Sequence, residues 1–181
     1  WLMQESEWTY TPSTGFVALK PANLPEFTGG LLSTVFCQDS YTGNGTSQTI
    51  TFPLDENGDP IDFGTQDYKL HIKNTSVGDN HTVVDTIRGV TKYLNTDNTN
   101  QEYTSATMVA SSTGTGFTVG SNGNTNRSGS TFVYWVEVAG DTGGVGETDT
   151  SGTIASTVSA GTNFSIVRWT GSSTGGATVG H

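Results

Sequence analysis

Acidic side chains are the first residues in this chain that could do chemistry. Asp55, Asn57 and Asp59 stand at alternate positions in Asp55-Glu56-Asn57-Gly58-Asp59-Pro60, an oxygen-rich turn of the kind that can hold calcium. The spacing departs from an EF-hand loop, which places its glycine sixth and a glutamate twelfth, whereas Gly58 is fourth. A solvated turn is therefore expected, with Asp55, Asn57 and Asp59 as the set a calcium ion would use. Asp55, Asp59, Asp62 and Asp67 also cluster, and glycoside hydrolysis runs on a pair of carboxylates. They fall in a Gly- and Pro-rich stretch, where solvated acids are the expectation.

Nucleophilic catalysis needs a base beside its nucleophile, and His71, His81 and His181 are the only histidines. His71 alternates with Lys69 and Lys73 and is expected to face solvent from a strand. There is no Gly-x-Ser-x-Gly elbow, no phosphate loop and no His/Cys spacing for zinc. Cys37 is the single cysteine, so no intrachain disulfide forms, and it reads as a small buried hydrophobe. Asp85 and Arg88, three residues apart around a turn, read as a pair that pins the turn. No catalytic residue, cofactor or metal is assigned, and the expectation is a protein that is not an enzyme. The remaining chemistry is aromatic: Trp8, Tyr41 and Trp169, if exposed, are the candidates to stack against the sugar rings of a glycan.

The elements that must position these residues are strands. Gly occurs 24 times and Thr, Ser and Asn fill much of the rest, while only 32% of residues are hydrophobic and 13% charged. Low charge density argues against disorder, and β-branched runs between Gly and Asn turns argue for an all-β fold. The densest apolar segment is Thr131 to Val138. Phe132, Tyr134, Val136 and Val138 fall on one face and Val133, Trp135 and Glu137 on the other, which predicts a central strand buried on both sides. Tyr68 to Lys73 alternates cleanly, and Ser33 to Tyr41 with Ser47 to Phe52 reads as a hairpin closed by Asn44-Gly45. Further strands are expected at 81–85, 91–94, 103–110 and 117–120.

Residues 1–30, broken by Pro12, Pro21 and Pro25, read as the tail of a preceding module and a linker. Residues 31–140 then hold about eight or nine short strands, a β-sandwich or jelly-roll-like module. Residues 141–152 read as a Gly- and Thr-rich linker, and 153–181 as the start of a second, truncated β module. Phe36 to Thr46 and Phe164 to Thr174 align at a constant offset, with Phe on Phe, Tyr41 on Trp169 and Thr42-Gly43 on Thr170-Gly171, which fits tandem modules. Both ends read as cuts in a longer polypeptide.

A set of motifs recurs in order along the chain: Tyr41-Thr-Gly-Asn-Gly-Thr-Ser-Gln-Thr-Ile50, Tyr68-Lys-Leu-His-Ile-Lys-Asn74, Asp85-Thr-Ile-Arg-Gly89, Tyr134-Trp-Val-Glu-Val-Ala-Gly140 and Phe164-Ser-Ile-Val-Arg-Trp-Thr-Gly171. The set resembles large virion-associated proteins of tailed phages, marine and cyanophage ones especially. In those, a lectin-like module of concanavalin or SPRY type precedes tandem β domains. Trp8 to Leu19 with Ala22-Asn-Leu-Pro25 resembles the exit from the lectin-like module. The Pro53 to Phe63 stretch departs from the pattern, being longer and more acidic than expected. The resemblance carries no catalytic residues.

It implies a non-enzymatic structural component of a virion, located on the particle surface as a tail-fibre, tail-associated or capsid-decorating protein. Its partners would be other virion proteins and copies of itself. The alternative is a carbohydrate-binding module for host surface glycans. A net charge of −10 repels nucleic acid, and no stretch is long and apolar enough for membrane insertion.

Overall fold

The computed structural model of the chain describes residues 35–181, so Trp8 and the 1–30 segment lie outside it. The regular secondary structure of the described residues is almost all strand. Alternating apolar residues form β1 (Phe36–Thr42), β2 (Gln48–Thr51), β3 (Tyr68–Asn74) and β4 (Thr82–Asp85), with short β5 (Lys92–Tyr93) and β6 (Tyr103–Thr104). They are followed by β7 (Val109–Thr113), β8 (Gly116–Val119), one helical turn α1 (Gly123–Asn126) and β9 (Thr131–Val138). β10 (Glu147–Asp149), β11 (Ser156–Ala160) and β12 (Ser165–Trp169) complete the chain.

Two antiparallel sheets face each other. One has the order β1-β9-β3-β4 and the other β2-β8-β7. Their inward side chains form a single cluster that includes Leu70, Ile72, Val84, Phe132, Tyr134 and Val136 from the first sheet and Ile50, Val109, Phe117 and Val119 from the second. Phe117 meets Tyr134 edge-on at 5.0 Å between ring centroids, an arrangement aromatic quadrupoles favour. This is the all-β sandwich expected from composition and periodicity. A third sheet, β10-β11-β12, adjoins the sandwich through Ile87, Ala139, Phe164 and Ile166.

β9 sits between β1 and β3, as its apolar density requires. Burial on both faces does not hold. Phe132, Tyr134, Val136 and Val138 are buried in the core, but Val133, Trp135 and Glu137 are only half-buried on the outer face. The Asn44-Gly45 turn also does something other than close a hairpin. β1 pairs with β9 and β2 with β8, so the turn carries the chain from one sheet to the other. Gly45 takes the left-handed φ of 75° that the corner needs.

Buried Asn126 locks this corner. Its side-chain nitrogen donates to the Thr46 carbonyl, to Gly120 O at 2.7 Å and to Asn44 Oδ1 at 3.1 Å, and its Oδ1 accepts from Asn44 N at 2.8 Å. The Asn44 and Thr46 contacts come from residues some eighty positions away, which local sequence does not announce. The 103–110 strand divides into β6 and β7 around a turn in which Met108 N donates to Ser105 O. The acidic loop after β2 folds back on itself, Ile61 N donating to Pro53 O at 2.9 Å, and sends Ile61 and Phe63 into the core.

Candidate functional site

Register fixes which side chains share the outer face of the four-stranded sheet. Gln38 lies opposite Trp135, Trp135 opposite His71, and His71 opposite Val83. One row of side chains therefore crosses all four strands on the side away from the core. The His71 ring lies against the Trp135 indole, 4.0 Å between centroids, and His71 Nε2 is 2.9 Å from His81 Nδ1. His71 is thus half-buried rather than solvent-facing. Burial, with His81 and Lys69 nearby, pushes its pKa down to about 4, so the ring is neutral at pH 7. Beside Trp135, on the β1 side, is a depression of about 450 Å³ lined also by Gln38, Asp39, Ser40, Val133 and Tyr134.

At the β4 edge of the same face lies a groove of about 460 Å³. Its floor is apolar: Val83, Leu94 and Val167. Trp169, at the end of β12, forms one wall and is 54% exposed, the one indole among the described residues that is largely open to water. The polar wall is an ion-paired triad together with the exposed Arg168. Arg88 Nε binds Asp85 Oδ2 at 2.5 Å, its backbone N donates to Asp85 Oδ1 at 2.7 Å, and its Nη1 reaches Glu102 Oε2 at 3.1 Å. Asp85 and Arg88 do pin their turn, as their spacing implied. The same pairing leaves carboxylate and guanidinium edges lining the groove, with their charges mutually compensated.

The wall that carries Trp169 is held in place by a buried carboxylate. Asp67, fully buried between β3 and the loop after β9, accepts from Ser159 Oγ at 2.6 Å, Gly144 N at 2.6 Å, Thr142 N at 3.0 Å, Thr86 Oγ1 at 3.1 Å and the Thr142 hydroxyl. Burial alone would raise its pKa, but the hydrogen bonds from Ser159 and Thr142 outweigh that and hold the carboxyl below its usual range. Its backbone joins in, Asp67 N donating to Gly140 O and Ala139 N to Asp67 O. Ser159 belongs to β11, so this one side chain ties the third sheet to the sandwich. The stretch expected as a plain linker, 141–152, supplies two of the donating residues and also forms β10.

The other sequence candidates are placed as follows. Tyr41 is buried in the core, stacked on Phe132 at 5.1 Å with its hydroxyl donating to Thr125 O at 2.5 Å, so it offers no face to a sugar. Its position in β1 points it inward, and only the inter-sheet crossing reveals that. Asp55 turns its carboxylate onto its own loop, accepting from Asn57 N at 2.8 Å and Asp59 N at 3.0 Å. The Asp59 hydrogen bond chiefly holds its pKa below the ordinary range. Among the described residues no group of three His, Cys, Asp or Glu side chains is disposed to hold a metal. Asp62 caps Gly64 N, and Asp67 is the buried clasp, so the acidic cluster does not converge on one point. Cys37 is buried, and burial with Asp39 nearby pushes its thiol up to about 12. Sequence reasoning missed Asp67 as a clasp and Asn126 as a corner lock. Neither carries a local signal, because their partners are distant in sequence.

No helix among the described residues is long and apolar enough to cross a membrane. Neither the curated proteins nor the solved structures contain a match to the chain. One protein family does match, over residues 32–181, a span that takes in the sandwich, the 141–152 stretch and the third sheet. The chain belongs to that family, described as a domain of unknown function, DUF7483.

Proposed function

We propose that this domain is a non-enzymatic building block of a tailed-phage virion, displayed at the particle surface in a tail-fibre, tail-associated or capsid-decorating protein. The observation that carries this reading is how the buried polar side chains are used. Asp67 joins the third sheet to the sandwich, Asn126 joins the two ends of the corner, and Asp85 with Arg88 fixes the β4 turn. Each closes a joint between elements, which suits a rigid module. The motif resemblance supplies the virion context. β1, β2 and β7 each pair on one side only among the described strands, which leaves edges for assembly with further copies or other virion proteins. An antibody raised against residues 35–181 should label intact purified particles in electron micrographs. Its recovery solely from the particle-free fraction would overturn the proposal.

A second reading, a carbohydrate-binding module, is favoured by the exposed Trp169 beside the Asp85–Arg88–Glu102 triad. An open indole over an apolar floor with fixed donors and acceptors alongside suits a ring that is apolar on its faces and hydroxylated at its rim. The two readings are compatible, because surface proteins of particles commonly both build and bind.

A further inference from the structure

The geometry points to one extended binding strip on the outer face of the four-stranded sheet, running from the Gln38–Trp135 depression to the Trp169 groove, for an uncharged oligosaccharide rather than a single sugar. The inference rests on the carbohydrate-binding reading and adds a second subsite, a direction and a ligand class. The row Gln38–Trp135–His71–Val83 is continuous across the strands, and its two ends are the two depressions. Neighbouring strands lie about 4.8 Å apart, so Gln38 on β1 and Val83 on β4 are roughly 14 Å apart, a distance suited to a short chain of rings.

Two indoles mark the strip. His71 covers the Trp135 ring from the β3 side, and the depression opens on its β1 side, where Gln38 and Ser40 present amide and hydroxyl groups for ring hydroxyls. Trp169 provides the second stacking surface at the far end. Between them His71 and His81 are joined to each other, so the middle of the strip is polar at pH 7 without the charge of an imidazolium on His71.

Charge decides the ligand class. Arg88 is neutralised by Asp85 and Glu102, and Lys69, which adjoins the strip, pairs with Glu137 and lies over the Phe164 ring at 4.9 Å. Arg168 on the groove wall is the exception, exposed and without a carboxylate partner among the described residues, set against Asp39 at the other depression and a net charge of −10 that opposes any polyanion. An uncharged glycan escapes that repulsion, whereas uronic or sulfated chains do not.

The test uses the full chain and a series of neutral gluco- and manno-oligosaccharides, from monosaccharide to hexasaccharide, with sulfated counterparts. Binding is followed by the indole N–H resonances in two-dimensional NMR. Trp135 and Trp169 are expected to shift along one saturation curve with a neutral tetrasaccharide. Affinity should rise with chain length, and Ser40→Trp, which fills the first depression from an exposed position, should lower tetrasaccharide affinity about tenfold, as should Trp169→Ala. If only Trp169 moves, and Ser40→Trp and chain length change nothing, the strip is overturned while a Trp169 site stands. Preference for sulfated chains overturns the ligand class. No binding to any oligosaccharide overturns the strip together with the carbohydrate reading, and leaves the virion building block untouched.

Discussion

The buried Asp67 carboxylate shows how one residue can carry an interface. Its donors come from Thr86, Thr142, Gly144 and Ser159, so every lone pair has a partner and burial is tolerated. Asp67→Asn places an amide N–H against groups that already donate. It is expected to destabilise the domain by about 2–4 kcal/mol, read as a lower urea midpoint with little change in slope. A loss under about 1 kcal/mol would mean the clasp is not an energetic joint.

His71 makes a prediction of the opposite kind. Its folded pKa lies below the ordinary histidine value, so the unfolded chain binds the proton more readily. Stability should therefore be unaffected by this group above about pH 6.5 and fall as pH drops from there towards 4. Thermal melts across that window should show the decline, and His71→Gln should flatten it. An unchanged slope in the variant would assign the acid sensitivity to other groups. Asp67 acts at lower pH: its depressed pKa gives a contribution that is present above about pH 4 and lost as pH falls through its folded value.

At the scale of elements, the corner between β1 and β2 shows how close approach selects glycine. A Cβ on Gly43 would run into the Arg127 carbonyl oxygen and lie 2.9 Å from the Phe132 ring, whereas nothing lies within 4 Å of a Cβ on Gly171. These two glycines align in the internal echo, yet Gly43 packs against Asn126, Arg127 and Phe132 of the sandwich while Gly171, after β12 of the third sheet, meets open space. Gly43→Ala is expected to lower stability by about 1–3 kcal/mol through overpacking. Gly171→Ala should stay within about 0.5 kcal/mol. Equal effects on denaturation would contradict the packing described for the corner.

For the whole molecule, the third sheet and the sandwich share a joint rather than a flexible tether. Asp67 and the Ile87–Ala139–Ile166 cluster both span it. Residues 35–181 are expected to unfold in one transition, coincident by fluorescence and circular dichroism. A chain ending at residue 152 loses the Ser159 donor and uncovers Ala139 and Ile87, and should melt lower or aggregate. Two separate transitions in the full domain would instead favour independent modules.

Sequence alone determined the strand content and the core face of Tyr68–Lys73. Period-two alternation at Tyr68–Lys73 is imposed by strand geometry itself, so Tyr68, Leu70 and Ile72 could be placed inside before any contact was known, whereas at Thr131–Val138 both faces read as buried and only the Phe132, Tyr134 and Val136 face is. The Asp85–Arg88 pair was legible for the same reason, since a turn brings close neighbours together. Tertiary structure decided which strands pair, and with that the site. Asn44-Gly45 has the chemistry of a hairpin and serves as a corner, because Asn126 and Gly120, far along the chain, hold it there. Tyr41 and Trp169 are equivalent in sequence pattern, but one stacks between sheets and the other stands in water. Burial of an aromatic ring depends on what packs over it, and in an antiparallel sandwich that neighbour comes from a strand remote in sequence.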